Sequence, residues 1–367
     1  MKTDLNKHMV ALCMRGDAGV MDRCIVSSVH SCLGDDLSLP ILALVKRLAE
    51  MGVECHTPDM FSFERYDSFL FYEMPEPADP VFTYAQKSKK PMFVIIVENH
   101  FVLPRNADYR QYGDFTTVFS YNDDPVSRGV ACKLNYVCSL NVPDYQAILF
   151  SERKLATMVS SYIKPRKSKP QLCSYMRLKT IRFYENLCED VFDLYGYGWN
   201  VGMNLFQDRP EVFKFISALK LYEILPRRKL KTWRGPIDGL KRDVVCNYRF
   251  AYCYENTTEI PGYITEKIFD VMMAGAVPIY LGHSSTSNRI PKECYIDRAD
   301  FRDDAELYDY ISRMPEEEWR GYLEAAHNFL LSKEAIPFSV PHYVKTVTDV
   351  MLPKLGISQA DNLQQGD

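Results

Sequence analysis

The stretch NYRFAYCYENTTEIPGYITEKIFDVMMAGAVPIYLG, Asn247 to Gly282, decides the fold class. Tyr248 to Tyr254 is aromatic and apolar enough to form a buried strand, and the polar pair Glu255-Asn256 closes it. A Thr-rich loop carrying Pro261-Gly262 follows. Helical periodicity resumes at Ile264 and runs through Ile268, Val271 and Met272 to Gly275, a left-handed cap, before Val277 to Leu281 reads as the next strand. Strand, loop, helix and strand make one βαβ unit.

Lys267 is oddly placed for a helix that has only to fold. In or near the first turn the helix dipole disfavours a cation by roughly 0.3–1 kcal/mol unless an anion is brought there. A diphosphate would be such an anion, because N–H groups at a helix start favour phosphate and an ammonium adds a point charge. Glu266 would then accept from sugar hydroxyls, with Tyr263 against a ribose or base. The same spacing also suits an ordinary Glu-Lys pair on a solvated helix face.

Glu-Asn, GYITEK and AGAVPIYLG, in this order, resemble the signature of the α-1,3/4-fucosyltransferases, glycosyltransferase family 10. The likeness is dense over Tyr248 to Gly282 and fainter over Met92 to Asp124 and Leu155 to Gly198. It implies an α/β fold of GT-B type, two Rossmann-like domains facing across a cleft. It also implies an inverting transfer of L-fucose from GDP-β-L-fucose to a hydroxyl of a GlcNAc-containing oligosaccharide acceptor, α-1,3 rather than α-1,4. Two alternatives keep the fold: a transferase using another nucleotide sugar, and an inactive nucleotide-sugar-binding relic.

The resemblance carries site residues with it. The family's proposed base is the glutamate of a Gly-Glu-Asn in the N-terminal domain; here Glu98-Asn99 follows the apolar run Pro91 to Val97, and Val97 stands in the glycine's place. A carboxylate at the tip of a buried strand is rigidly aimed and partly desolvated, which is how a general base acquires a raised pKa. The family also places an arginine for the donor diphosphate near the start of a helix, here Ser174 to about Leu187. Its ungapped place falls on Thr180, with Arg177, Lys179 and Arg182 close by, and helix-start geometry favours Arg177. Lys267 and that arginine would stabilise the leaving diphosphate. Glu255 and Asn256 would fix the strand-end loop or touch fucose, while Tyr263 and Glu266 would hold the nucleoside. With side chains neutralising the diphosphate, no metal or cofactor is required, and a divalent ion would be no more than an aid to product release.

The first 150 residues alternate strands and helices: strands at Val10 to Met14, Val53 to His56, Phe69 to Glu73, Met92 to Val97 and Thr116 to Tyr121, and a helix from Leu39 to Met51. Such alternation predicts a parallel sheet covered by helices, with ligands beyond the carboxyl ends of its strands. Asp123-Asp124 reads as a polar turn. Near residue 150 the pattern restarts, with a strand from Leu155 to Ser160, a basic loop Lys164 to Pro170, the helix at Ser174 and a strand from Val191 to Tyr195. Gly196-Tyr197-Gly198 reads as a tight turn, because Gly202 is one residue too far for G-x-G-x-x-G. Arg227 to Arg242 holds seven cations and Trp233, and reads as a solvated loop bordering a substrate entrance. Cys294 to Ile296 is a short strand, and Asp304 to Met314, Glu316 to Leu331 and Val340 to Met351 are helices, the last reaching back to the first domain. The boundaries expected are 1–150 for an acceptor-binding domain with the base, 151–353 for a GDP-fucose-binding domain and 354–367 for a polar tail, frayed from Ile357.

Composition narrows the partners. A net charge of −4 gives no field that would draw in nucleic acid or an anionic membrane. The eleven cysteines are scattered without a C-x-x-C, which suits small buried thiols in a reducing compartment better than disulfides or zinc. The sequon at Asn256 lies inside the expected donor site, where a glycan would block binding. With no signal peptide and no apolar run near the ~20 residues of a membrane span, the expected location is cytoplasmic or membrane-peripheral, as in a bacterial-type enzyme. Oligomeric state is not legible from the chain.

Overall fold

The computed structural model describes residues 7–26, 38–140, 142, 149–162, 173–187, 190–204, 212, 215 and 227–357. The expected basic loop Lys164 to Pro170 and most of the expected tail lie outside them. The described chain forms two compact α/β units, one containing Asp36–Ser139 and Ile336–Asp367 with the N-terminal strand, the other Leu140–Ala335.

The first unit is built on six parallel strands: β1 (His8–Cys13), β2 (Val53–His56), β3 (Ser68–Tyr72), β4 (Met92–Ile96), β5 (Thr117–Ser120) and β6 (Cys132–Lys133). Their order is β2-β1-β3-β4-β5-β6. Strands β3, β4 and β5 are buried at every residue, as expected when helices cover both faces of a parallel sheet. The Pro80–Ser88 helix starts where chemistry asks: Asp79 accepts from the N–H groups of Val81 and Phe82, and Pro80 occupies a first-turn position whose N–H would be orphaned. Asp123-Asp124 is not a plain turn. Asn122 caps a helical turn Asp123–Ser127, whose first-turn carboxylates complement the dipole.

The helix Val340–Lys354 belongs to this first unit, which corrects the expected division at 353. Tyr343, Val347, Met351 and Leu352 pack into the same core as Val10, Leu44, Leu70 and Ile95, and the Tyr343 hydroxyl lies 2.7 Å from that of Tyr72. The boundary near 150 likewise moves to about residue 140. The cause is physical: a helix joins the sheet that buries its apolar stripe, whatever its place in the chain.

The second unit has its own six-stranded parallel sheet. It comprises β7 (Lys154–Val159) and β8 (Phe192–Tyr195); then, after a small antiparallel pair β9 (Met203–Asn204) and β10 (Arg227–Arg228), come β11 (Trp233–Gly235), β12 (Tyr248–Tyr254), β13 (Val277–Leu281) and β14 (Ile296–Asp297). The order is β11-β8-β7-β12-β13-β14. The chain leaves β7 toward β8 on one side and returns to β12 on the other, so β7 and β12 flank a topological switch point, where α/β sheets open a crevice for ligands. Gly196 has φ 133°, and a Cβ there would meet the Ser160 carbonyl oxygen at 2.2 Å, so glycine is required for the turn after β8. Gly275, at φ 69°, ends the Glu266–Met273 helix as expected.

The basic segment is partly structural. Trp233 and Gly235 pair with β8, and Arg234 reaches Asp190 at 2.5 Å and the buried Asp193, which also accepts from Lys154 and the Tyr248 hydroxyl at 2.8 and 2.6 Å. Cys13, Cys24, Cys55, Cys132, Cys138, Cys173, Cys246, Cys253 and Cys294 are free thiols. Among the described residues no helix is long and apolar enough to cross a membrane.

Candidate active site

Strand β12 sets the second unit's site by alternation. Tyr252 and Tyr254 point to the Ser174–Asn186 helix, their hydroxyls 2.8 Å from Tyr184 and 3.2 Å from Thr180. Glu255, one residue on, points to the opposite face and is completely buried. Its N–H still donates to the Leu281 carbonyl at 2.8 Å, so the residue ends the ladder rigidly.

A buried carboxylate needs donors, and Glu255 has four. The Thr265 N–H donates to Oε1 at 2.7 Å, the Thr265 hydroxyl reaches both oxygens at 2.8 and 3.0 Å, the Tyr280 hydroxyl donates at 3.2 Å, and Lys267 Nζ donates to Oε2 at 3.2 Å. Thr265 is itself the N-cap of the Glu266–Met273 helix. The anion that Lys267 requires at this helix start is therefore first of all Glu255. Of the two alternatives for Glu255, fixing the loop or touching a sugar, the geometry shows the first. Burial opposes the charge on Lys267, but the Glu255 and Glu266 carboxylates, the latter at 3.9 Å, outweigh it and hold the ammonium above its ordinary range. The Lys267 side chain keeps 25% of its surface exposed. Of its three N–H donors two are used, on Glu255 and on Thr265 at 3.0 Å; the third has no hydrogen-bond partner among the described residues.

Arg177 reaches the same strand end from the other side of the switch point. Its Nη2 donates to the carbonyls of Tyr254 and Glu255 at 2.5 and 3.2 Å and to Asn256 Oδ1 at 3.1 Å, while the Cys173 N–H donates to the Asn256 carbonyl at 2.8 Å. Burial depresses its pKa, against nearby Cys173 and Glu255. Asn256 Nδ2 in turn donates to the Tyr263 hydroxyl at 3.4 Å. Tyr263 is 1% exposed, so its ring has no face left for a ribose or base; it supports the loop instead. Glu266 is the more open of the two glutamates here, with 16% of its side chain exposed. Arg177, Glu255, Asn256, Tyr263, Glu266 and Lys267 thus form one connected cluster.

Thr180, the place where an arginine was expected, carries a different arrangement. Its hydroxyl donates to Asp304 at 2.9 Å, and Asp304 accepts from Arg298 Nε at 3.4 Å. A guanidinium arrives near this position from the turn after β14 rather than from the helix. Arg298, Lys179, Met176, Leu281, Phe301 and Asp303 are among the residues lining a cavity of about 290 Å³. Sequence reasoning missed Arg298 because only the pairing of β14 with β13 brings it here.

In the first unit Glu98 stands half-buried just past the end of β4. Its Oε1 accepts from the N–H and the side-chain amide of the buried Asn99 at 2.9 and 2.6 Å. Val97, where the family has glycine, packs its side chain on the first core, and its carbonyl accepts from the Tyr136 hydroxyl. A second carboxylate, which sequence reasoning did not single out, stands at the end of the adjacent β3. Glu73 Oε1 accepts the Glu98 N–H at 2.6 Å and Oε2 accepts Asn106 Nδ2 at 2.6 Å. Burial, with a contribution from Glu98, raises the Glu73 carboxyl to about 7 against hydrogen bonds that pull it down. Its φ of 77° places a non-glycine residue in the left-handed region, at a cost of about 1–2 kcal/mol. The signal in the sequence was its position, the single charge ending the apolar run Phe69 to Tyr72.

Residues 236–334 match the family model described as Glycosyltransferase family 10 (fucosyltransferase) C-term. The α-(1,3)-fucosyltransferase FucT of Helicobacter pylori is 35% identical over 71 residues, 19% of this chain and 15% of the relative. The α-(1,4)-fucosyltransferase of Arabidopsis thaliana is 37% identical over 68 residues, 18% of this chain and 17% of the relative. A putative fucosyltransferase of Acanthamoeba polyphaga mimivirus, R654, matches more extensively, at 23% over 222 residues, 60% of this chain and 33% of the relative. The matches thus span at most a third of these relatives. Among solved structures, an α1,3-fucosyltransferase superposes with TM-score 0.51 at 13% identity, covering 94% of this chain and 90% of the other. HepE of Anabaena, in complex with UDP and glucose, superposes at 0.52 and 11% identity, covering 94% and 99%. At these identities the superpositions speak for the fold, two parallel α/β units of GT-B type. The stretch that holds Glu255 and Lys267 lies within the residues that match the family 10 C-terminal model, and the chain resembles the α-1,3/4-fucosyltransferases.

Proposed function

We propose that this chain transfers L-fucose, with inversion, from GDP-β-L-fucose to a hydroxyl of a GlcNAc-containing glycan. The observation that carries the reading is the cluster at the β7/β12 switch point, where Glu255 joins two cations: Lys267 at a helix start within residues 236–334, the segment matched to family 10, donates to its carboxylate, and Arg177, from the preceding helix, donates to its carbonyl. The unused N–H of Lys267 is the donor available to a diphosphate oxygen. As the anomeric bond breaks, GDP gathers negative charge, and a cation already held in place by Glu255 stabilises it without reorganising. Asn256 and Tyr263 keep the loop in shape, and Glu266 is the carboxylate open to ligand hydroxyls.

Glu98 is assigned the proton of the acceptor hydroxyl. Oε1 is held by Asn99, which fixes the plane of the carboxylate before the acceptor arrives. Lys267 and Arg177 supply the charge that a metal would otherwise bring, so turnover is expected to persist in EDTA.

The deciding experiment incubates the protein with GDP-fucose and N-acetyllactosamine, reading GDP release and the linkage of the product. Fucosylation at the GlcNAc O3 position supports the reading. No product, with turnover of a different GDP- or UDP-sugar in a donor panel, transfers the assignment to another nucleotide sugar, a reading the fold allows given its likeness to HepE.

A further inference from the structure

Glu98 is held through its N–H, its carbonyl and its side chain, and the first two of these lead to one residue. Its N–H is taken by Glu73 Oε1 at 2.6 Å, and its carbonyl accepts Asn106 Nδ2 at 2.9 Å; that same Nδ2 donates to Glu73 Oε2 at 2.6 Å. Its side chain is held by Asn99, and the carbonyl before it by Tyr136. Asn106 is fixed as well, since its Oδ1 accepts the Met74 N–H at 3.2 Å and its carbonyl accepts the Tyr112 hydroxyl at 2.7 Å. Glu73 is locked by its own backbone, donating to the Ile95 carbonyl at 2.9 Å before turning left-handed. Such an outlier persists only where its surroundings over-determine it.

We propose that Glu73 is a positioning residue for Glu98: by accepting the Glu98 N–H and the Asn106 amide at once, its carboxylate fixes the strand end from which the Glu98 carboxylate is presented. The inference rests on the reading of Glu98 as the base. Both Glu73 oxygens act as acceptors, which suits an ionised carboxylate best; a protonated one turns one oxygen into a hydroxyl donor and a poorer acceptor, so its hold on one partner weakens. Glu73 titrates near 7 because it is buried and faces the Glu98 carboxylate, while Tyr112, a phenol coupled to it, stays protonated with its pKa raised by burial. The clamp therefore closes as pH rises through about 7 and opens below it.

The test uses the full chain and Glu73→Gln, which supplies one acceptor where the clamp uses two and so imitates the protonated state at every pH. In the protein alone, the Glu98 amide resonance of the wild type is expected to titrate with a midpoint near 7; in Glu73→Gln it stays flat. In the transfer assay at pH 8, kcat of Glu73→Gln falls about 10- to 100-fold, the scale of a misplaced catalytic group. KM for the donor is unchanged, and the acid limb of the pH profile near 7 disappears. A Glu98 amide that does not respond near pH 7 in the wild type, or a Glu73→Gln protein with wild-type kcat, overturns the proposal. Wild-type protein that transfers no sugar sinks the reading of Glu98 as a base, and the role of Glu73 with it; a titrating Glu98 amide would then show the clamp alone.

Discussion

The dipeptide Glu-Asn occurs at the carboxyl end of a buried parallel strand in each unit, as Glu98-Asn99 after β4 and Glu255-Asn256 after β12, and the two have opposite fates. In the second unit the glutamate is buried completely and neutralised by Lys267, while its asparagine accepts from Arg177. In the first unit the asparagine is buried completely and the glutamate stays half-exposed, its backbone gripped by another carboxylate, Glu73. One pair anchors cations; the other leaves its carboxylate half-exposed. What decides is the neighbour across the sheet: Tyr280 on β13 and the Thr265 cap beside Glu255, the end of β3 beside Glu98.

The largest expected break in that contrast is Glu98→Gln, which should leave GDP binding intact and reduce transfer below detection in a product assay. Ordinary turnover would remove Glu98 from the chemistry. Lys267→Ala is next, with a loss of about 10²–10³ in kcat, the usual consequence of deleting one charge-stabilising group. Calorimetry should show weaker GDP binding as well, and unchanged affinity would end the diphosphate assignment.

Glu255→Gln should act on folding more than on substrate. It strands the Lys267 ammonium and weakens the bonds to Thr265 and Tyr280, so the second unit should lose about 3 kcal/mol in denaturant unfolding. A Glu98→Gln control, half-exposed, should stay within about 0.5 kcal/mol of wild type. Equal losses at the two sites would erase the distinction drawn between them.

The smallest effect is a pH dependence of stability in the first unit. The folded Glu73 carboxyl keeps its proton to about 7 against an ordinary value of 4.5. The folded state therefore binds more protons than the unfolded state between these values, and its stability is greatest below the ordinary pKa and declines as pH rises through 7. Melting temperatures measured from pH 5 to 8 should show that decline in the wild type and a flatter profile in Glu73→Gln. A wild type that gains stability over the same range would contradict the raised Glu73.

Much of this was readable from the chain. The alternation of apolar runs with amphipathic stretches located every long strand within one or two residues, because period 2 and period 3.6 are local properties. Arg177 was singled out because helix-start geometry is local too, and the structure shows it holding the end of β12 at Tyr254, Glu255 and Asn256. Tyr263 was expected against a ribose or base because an aromatic in a loop gives no sign of its burial; Arg298 was overlooked because it comes near Thr180 only through Asp304 and the folded sheet, and Glu73 because Glu98 and Asn106 lie 25 and 33 residues further along the chain.

By itself the sequence determined two α/β units, the strand-end glutamates and the Thr-Glu-Lys helix start, since each is written in consecutive residues. Tertiary structure alone decided that Tyr343 of the Val340–Lys354 helix meets Tyr72 in the first core, that Glu255 rather than a ligand is the first partner of Lys267, and that Glu73 grips Glu98. Sheet order brings residues far apart in the chain to within 3 Å or so, and at that range in a desolvated site the neighbour fixes both charge state and role.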